Sequence, residues 1–245
     1  MLKKKIMKKV LPIIFISSIL FGCSGNETNL EKVKGNSFTY SEYFHEYDGL
    51  DERENIQYYK PLSLNEVQSF SLPDEMKKVV NTIDQNRLPF KVDEEEFYFV
   101  TSKSKEGKEI RQGQVSYFER DEYGNIDEFF IISITESDRN PLENQDISTK
   151  VDSVGNKLKK ERLRENLSIY QQVLTTDSAL LYRFYDYDED LKKVTVVATA
   201  ANEFYAYYNG YIYHVGYLID REKIDEEMQE KMLQLAREYI LGSSF

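Results

Sequence analysis

Few residues in this chain are of the types that carry catalysis or bind metals. Its 245 residues include one cysteine, Cys23, and two histidines, His45 and His214. Neither histidine lies in a His-Glu-x-x-His zinc motif, and the chain has no Gly-x-Ser-x-Gly nucleophile motif. The 43 acidic residues contain no pattern that selects the two carboxylates of a glycoside hydrolase. The sequence therefore predicts no catalytic residue, no cofactor and no metal ligand, and we expect a protein that is not an enzyme.

Two charged segments are the next candidates for ligand contact. In the acidic segment 186–190, aspartates at every second position have the spacing of the first three ligands of a calcium-binding loop. Leu191 and Val197, however, stand where that loop needs glycine and a bidentate glutamate. We expect an acidic hairpin turn there, with weak calcium binding as the alternative. The basic segment 157–164 is interpreted as a solvated sheet edge whose lysines discourage aggregation. Its alternative is a docking patch for anionic wall polymer or lipid headgroups.

The N-terminus has the pattern of an export signal. Five lysines up to Lys9 precede the apolar segment 10–21, and the small residue Gly22 stands before Cys23. This segment is shorter than the roughly 20 apolar residues of a transmembrane helix, and polar residues follow Cys23 directly. The sequence therefore predicts a signal peptide over residues 1–22 in preference to a transmembrane helix.

The end of this signal resembles the lipobox of bacterial lipoproteins. That motif has an aliphatic residue, a small or aliphatic residue, Gly or Ala, and then cysteine; here it is Leu20-Phe21-Gly22-Cys23. The resemblance implies that Cys23 receives a diacylglyceryl group and palmitate-type acyl chains and becomes the mature N-terminus. Two acyl chains suffice for stable attachment, at about 0.8 kcal/mol per buried methylene. We therefore expect a lipid-anchored protein at the cell membrane that faces outside.

Acidic residues dominate the remainder of the chain. Removal of residues 1–22 takes away five lysines and no acids, which moves the formal net charge from −11 to −16. This charge disfavours nucleic acid as a partner, and an anionic membrane surface repels it. Residues 23–35, the lipidated cysteine and a polar tether, are expected to be flexible. The twelve residues after Cys23 reach at most about 40 Å, at roughly 3.3–3.6 Å per residue.

Residues 36–245 are predicted to form a single α+β domain, within which 36–72 is an unassigned N-terminal extension. Ser63 to Glu66 has the spacing of a capping box. A helix is predicted over 73–86, because apolar residues recur on one of its faces. These residues are Met76, Val79, Val80 and Ile83.

Strands are predicted where aromatic and β-branched residues concentrate between turn signals. The segments are 97–101, 114–120, 126–134, 169–174, 179–185 and 194–200. The first three are expected to form an antiparallel meander. A polar loop, 137–156, follows them, and loops of that length are usually functional or disordered. A final helix over 221–241, capped by Asp220 or Asp225, carries an apolar stripe that packs on the sheet.

The pair Asn209-Gly210 predicts a β-hairpin with a type I′ turn, since both positions of that turn need φ > 0. A two-residue loop sets Tyr208 opposite Tyr211 and extends the register outwards. Side chains of both faces of this hairpin are largely aromatic. We therefore expect a central position in the sheet, covered by helices on one side and half-covered on the other.

The order of elements resembles the DUF4367 group of extracytoplasmic Gram-positive proteins. The resemblance covers roughly residues 73–241 and includes Leu88-Pro89-Phe90, the strand meander, the hairpin at Asn209-Gly210 and a closing helix through Ile240. That group is related in architecture to the LolA and MucB type. It implies an α+β fold with a curved, mainly antiparallel sheet and amphipathic helices packed on one face, preceded here by the lipoprotein signal peptide.

These features favour a non-catalytic binding or regulatory module of the cell envelope. The expected partner is an envelope protein, a wall polymer or an apolar ligand, bound by the sheet face or by the 137–156 loop. Helices that fill their side of the sheet leave only the loops and the outer tyrosine face for partners, whereas a cleft favours an apolar ligand. The alternatives are a solute- or lipid-binding lipoprotein and a cell-wall hydrolase.

Overall fold

The computed structural model describes seven segments of the chain. They are residues 30–35, 54–104, 106–143, 157–165, 167–174, 182–220 and 222–241. The predicted signal peptide, Cys23 and residues 36–53 of the N-terminal extension lie outside these segments. Within them, no helix combines the length and the apolar character that crossing a membrane requires.

Eleven strands make up most of this part of the chain. They are β1 (Lys32–Gly35), β2 (Glu54–Tyr59), β3 (Glu94–Lys103), β4 (Glu109–Arg120), β5 (Ile126–Glu136), β6 (Lys157–Arg164), β7 (Leu167–Val173), β8 (Tyr182–Asp188), β9 (Lys193–Thr199), β10 (Asn202–Tyr208) and β11 (Tyr211–Leu218). The strand order is β6-β7-β10-β11-β5-β4-β3-β2-β1-β9-β8. Neighbours are antiparallel except for β1 and β9. The predicted antiparallel sheet is thus confirmed.

The meander β3-β4-β5 and the hairpin β10-β11 form as predicted. Asn209 and Gly210 have φ of 51° and 82°, as a type I′ turn requires. Tyr208 lies opposite Tyr211, and the pairing extends without a shift to Asn202 and Tyr217. The hairpin lies between β7 and β5, which confirms its central position.

Four helical segments complete the described part. They are α1 (Leu64–Val67), α2 (Asp74–Val80), a 3-10 turn (Gln85–Arg87) and α3 (Glu226–Leu241). The capping box before α1 is confirmed, because the Glu66 carboxylate accepts from the Ser63 backbone N–H at 3.1 Å and from its hydroxyl at 2.7 Å. The Asp225 carboxylate caps α3 by accepting from the Met228 N–H at 2.8 Å.

The prediction that α2 continues to residue 86 is wrong, because the helix ends at Val80. The Asp84 carboxylate accepts from the Asn86 N–H at 3.0 Å, which begins the separate 3-10 turn. Short polar side chains such as aspartate compete with the helix for backbone donors, and this explains the early end.

One face of the central strands packs against all three α-helices in a single hydrophobic cluster. Alternate strand residues, such as Val115, Ile132 and Val215, meet the apolar faces of α2 and α3. Leu235 of α3 is 2% exposed. The apolar stripes of the two predicted helices therefore account for this layer.

The opposite face is covered by the hairpin β8-β9, which the sequence did not place there. Tyr182 and Phe184 of β8 pack on Phe118 and Phe129. The approach is so close that a Cβ on Gly216 of β11 would lie 2.4 Å from the Tyr182 ring. The expectation of a curved sheet is wrong, since the sheet is open and uncurled. A layer on each face leaves no concave side around which the strands must bend.

The structure also places Lys32–Gly35 in strand β1, in contrast to the flexible tether expected over residues 23–35. Lys32 pairs with Tyr59 of β2, and Gly35 pairs with Val194 of β9. A Cβ on Gly35 would lie 2.0 Å from the Tyr58 ring, so glycine allows this close approach. β1 thereby joins the main sheet to the β8-β9 layer.

Candidate functional site

The predicted site residues differ in what the structure describes of them. Cys23 and His45 lie outside the described residues, as does most of the 137–156 loop. His214 lies in β11, as predicted, and faces the β8-β9 layer. The outer tyrosine face, which was expected to be half-covered, is largely buried: Tyr205 is 1% exposed.

His214 forms a buried pair with Glu203 of β10. Its Nε2 lies 2.7 Å from the Glu203 Oε2, and the two side chains are 2% and 0% exposed. The Tyr205 hydroxyl donates to the same carboxylate oxygen. The Tyr205 ring stacks on the imidazole at 4.3 Å between centroids, and Tyr182 meets it edge-on at 4.9 Å. These contacts close the pair off from solvent and give it a role in fixing β8 against β10 and β11.

Two glutamines of β4 hold β8 in place, one through the backbone of Tyr185 and one through its hydroxyl. The Gln114 amide donates to the Tyr185 carbonyl at 3.0 Å, and its carbonyl oxygen accepts from the Tyr185 N–H at 2.9 Å. The Tyr185 hydroxyl donates to Gln112 at 2.8 Å. The Gln114 side chain thus takes the place of a neighbouring strand. Polar residues at alternate positions of an otherwise apolar strand were the available sequence signal for this second layer.

The acidic segment 186–190 is mostly strand and turn. β8 extends through Asp188, whose carboxylate accepts from the Leu191 N–H at 2.8 Å, so the acidic hairpin turn is confirmed. Among the described residues, no group of three or more His, Cys, Asp or Glu side chains is arranged to hold a metal ion. Asp186 instead lies 3.6 Å from the Arg120 guanidinium.

The Arg120 guanidinium lies near three carboxylates at this end of the sheet and attracts each of them. It binds Glu94 through two hydrogen bonds, of 2.8 and 2.9 Å. Glu96 lies nearby, and burial raises its pKa to about 7, opposed by a hydrogen bond from the Tyr98 hydroxyl and reinforced by the charges of Glu94 and Asp186. Burial likewise raises the pKa of Asp186, against the attraction of Arg120. Burial in the folded state therefore favours the protonated form of Glu96 and Asp186 relative to an exposed carboxyl.

The basic segment 157–164 forms β6, the first strand of the sheet, and all of its lysines and arginines are exposed. The interpretation as a solvated edge is therefore confirmed. Docking of an anionic polymer on this strand stays a prediction. At the start of the 137–156 loop, Leu142 is 2% exposed, and its carbonyl accepts from the Tyr170 hydroxyl at 3.2 Å.

A pocket with a volume of about 270 Å³ opens on the helix side of the sheet. Polar side chains form most of its surface, and Tyr117 of β4 is among the lining residues. The apolar side chains are Leu64, Val80 and Ile83. The remaining lining residues are amides and acids: Asn65, Asn81, Asp84, Gln85, Asn86 and Glu95. None of these ten described residues is lysine or arginine.

Hydrogen bonds and an ion pair fix the segments around this pocket. The Arg87 guanidinium forms a bidentate pair with Glu238 of α3, which ties the 3-10 turn to that helix. This guanidinium lowers the pKa of Glu238. On the opposite side, Leu62 and Phe97 exchange two backbone hydrogen bonds of 2.9 Å and thereby fix the start of α1 on β3.

Sequence reasoning missed this pocket. The available signal was the run of short amides and acids over 81–86, inside what the periodicity predicted as continuous helix. Strand alternation gave a second signal, since Tyr117 and Glu95 lie directly opposite each other on β4 and β3. Comparison of the chain with protein-family models, curated proteins and solved structures finds no match.

Proposed function

We propose that this chain is a membrane-anchored extracytoplasmic lipoprotein that acts as a non-catalytic binding or regulatory module of the cell envelope. The observation that carries the proposal is Leu20-Phe21-Gly22-Cys23 at the end of an apolar segment preceded by five lysines. An acyl anchor on Cys23 then holds a body with a formal charge of −16 at a surface that repels it.

The length of free chain after the anchor supports this arrangement. β1 begins at Lys32, so eight residues link Cys23 to the sheet. At roughly 3.3–3.6 Å per residue they span at most about 29 Å. The domain therefore stays near the headgroups, where it meets partners at the outer face of the membrane.

The surfaces favour a polar partner over a lipid. The helices leave a pocket of about 270 Å³ whose lining includes four amides and two carboxylates, and an acyl chain would leave these groups without hydrogen bonds. A wall polymer or an envelope protein is the better candidate. The element order that resembles the DUF4367 group supports the same role, although the sheet here is open.

Fractionation of a Gram-positive host that expresses the full chain tests the anchor. We expect the wild type in the membrane fraction, with an acylated N-terminal Cys23 in the mass spectrum. Cys23→Ala should accumulate as unprocessed precursor or appear in the medium, and Ser24→Ala, one residue further on, should behave as the wild type. Identical fractionation of wild type and Cys23→Ala, without acyl mass, contradicts the proposal.

A further inference from the structure

The outer edge of β6 is open in the part of the chain that the structure describes. β6 is the first strand in the sheet order and pairs there with β7 alone. Alternate residues of an antiparallel strand direct their backbone N–H and C=O groups away from the neighbouring strand. Leu158 packs on the β8 side of the sheet and Leu163 on the helix side, and these contacts hold β6 in place. The eight residues of this edge therefore offer main-chain hydrogen bonds to a further strand.

Most cations of β6 lack an acidic partner within the fold. The strand holds five basic residues and one glutamate, in a chain whose formal net charge is −11. Four of the basic side chains have no carboxylate of a described residue within 4.0 Å: Lys157, Lys159, Lys160 and Arg162. The Lys160 Nζ instead lies 5.0 Å from the centre of the Tyr170 ring. These cations are therefore available to anionic groups of another molecule.

The order of charges along β6 determines which kind of chain can pair with its edge. A second copy of β6 is repelled, because pairing the two strands places mainly like charges beside one another. A uniform polyanion is attracted by the cations but meets the Glu161 carboxylate near the middle of the strand. A peptide strand can place acids beside the cations and a basic residue beside Glu161. It also forms the main-chain hydrogen bonds that the edge offers.

We infer that the outer edge of β6 binds an extended acidic segment of another envelope protein, which adds a strand to the sheet. Seven strands lie between β6 and β1, the strand that follows the predicted anchor. At roughly 4.8 Å per strand, the edge lies about 38 Å from β1 along the sheet. This separation favours a protein partner over the lipid headgroups next to the anchor. The inference deepens the proposed binding role and rests on it, because it assigns the module a class of partner.

Fluorescence anisotropy with a labelled peptide tests the inference. The probe is Glu-Val-Glu-Lys-Glu-Glu-Val-Glu, which in antiparallel register places acids beside the cations of β6 and lysine beside Glu161. The full chain is purified in a neutral detergent and titrated into this peptide at about 0.15 M salt, where surface charges are screened beyond about 8 Å. We expect saturable binding, and weaker competition by inorganic polyphosphate or by phosphatidylglycerol added to the micelles.

Two N-methylated forms of the peptide separate strand addition from attraction between charges. One form is methylated on the backbone nitrogens of the odd residues and the other on those of the even residues, so both keep every charge. Only one set of N–H groups faces β6 in an added strand. One form should therefore bind at least about 10-fold more weakly, the loss expected for several hydrogen bonds, and the other should bind as the unmodified peptide.

Charge reversal on β6 locates the binding site. Arg162→Glu, at an exposed position, should weaken binding about 2- to 30-fold, because it replaces an attractive cross-strand pair with a repulsive one. Lys34→Glu makes the same change of charge on the exposed side of β1 and should leave the affinity unchanged. Glu161→Lys should reverse the preference of the wild type, so that a peptide with glutamate in place of its lysine binds better than the original.

The inference is wrong if the peptide does not bind, if both N-methylated forms bind as the unmodified peptide, or if polyphosphate or phosphatidylglycerol competes at lower concentration than the unlabelled peptide. Equal affinities of Arg162→Glu and Lys34→Glu also contradict it. Fractionation of Cys23→Ala is independent of all these results, so failure of strand addition and failure of the anchor are distinguishable.

Discussion

Replacement of Glu96 by glutamine is expected to stabilise the protein at neutral and alkaline pH. Glu96 lies on β3 beside Glu94, Asp186 and the Tyr98 hydroxyl, and the Arg120 guanidinium is the nearby cation. Burial raises the pKa of Glu96 from 4.5 to about 7. The folded state therefore prefers this carboxyl protonated, whereas the unfolded state ionises it at its ordinary pKa.

The sign and size of the effect follow from linkage. Because the folded state has the higher pKa, the contribution of Glu96 is most favourable below about pH 4.5 and is lost as the pH rises to about 7. A shift of this size corresponds to at most about 3 kcal/mol, and partial exposure reduces it to roughly 1–3 kcal/mol. Glutamine is neutral throughout and still accepts from Tyr98, so it removes this loss.

Thermal unfolding followed by far-UV circular dichroism measures the difference. At about pH 8, Glu96→Gln should raise the Tm by roughly 2–12 °C, since 1 kcal/mol shifts the Tm of a domain of this size by about 2–4 °C. At about pH 4.5 the two proteins should unfold together. Glu122→Gln, an exposed carboxyl in the β4-β5 turn, is the control. An equal gap between wild type and Glu96→Gln at both pH values would refute the assignment to burial of this carboxyl.

Two further substitutions test the layers on either side of the sheet. Gly216→Ala places a Cβ 2.4 Å from the Tyr182 ring, so it should cost about 1–3 kcal/mol of unfolding free energy in urea, and less in a Tyr182→Ala background. An equal cost in both backgrounds argues against contact between β8 and β11. Leu235→Asp puts a charge among the apolar side chains between α3 and the sheet and should cost more than about 4 kcal/mol. Lys231→Asp, on the exposed side of α3, should unfold near the wild-type urea concentration, and the packing of α3 is rejected if both variants do so.

Features governed by neighbouring residues were predictable from the sequence. Asn209 and Gly210 determine the turn and, through it, every pair between β10 and β11. Ser63 and Glu66 are three positions apart, and their contact needs only that spacing. In both cases the interacting groups are close in the chain, so local geometry leaves few alternatives.

Features that depend on distant contacts were not predictable in the same way. β1 is four residues long and forms because β2 and β9 offer it strand edges to pair with. The residues of Lys32–Gly35 do not themselves predict a strand. The hairpin of β8 and β9 was predicted from its acidic turn, but its position over β4 depends on Gln114, a residue 71 positions from Tyr185. Alternation of residues predicts which face a side chain takes and does not predict what covers that face.

Polar side chains have different hydrogen-bond partners on the two faces of the sheet, and this difference affects where a partner can bind. On the β8 side, Gln114 forms hydrogen bonds with the backbone of Tyr185, and Glu203 pairs with His214. These polar groups therefore stabilise the packing of the two layers. On the helix side, four amide and two carboxylate side chains line a pocket that opens to solvent. Because these exposed side chains can exchange their hydrogen bonds with water for hydrogen bonds with a ligand, a polar partner is expected on the helix side. Variants on the β8 side are expected to lower the stability of the fold without changing binding.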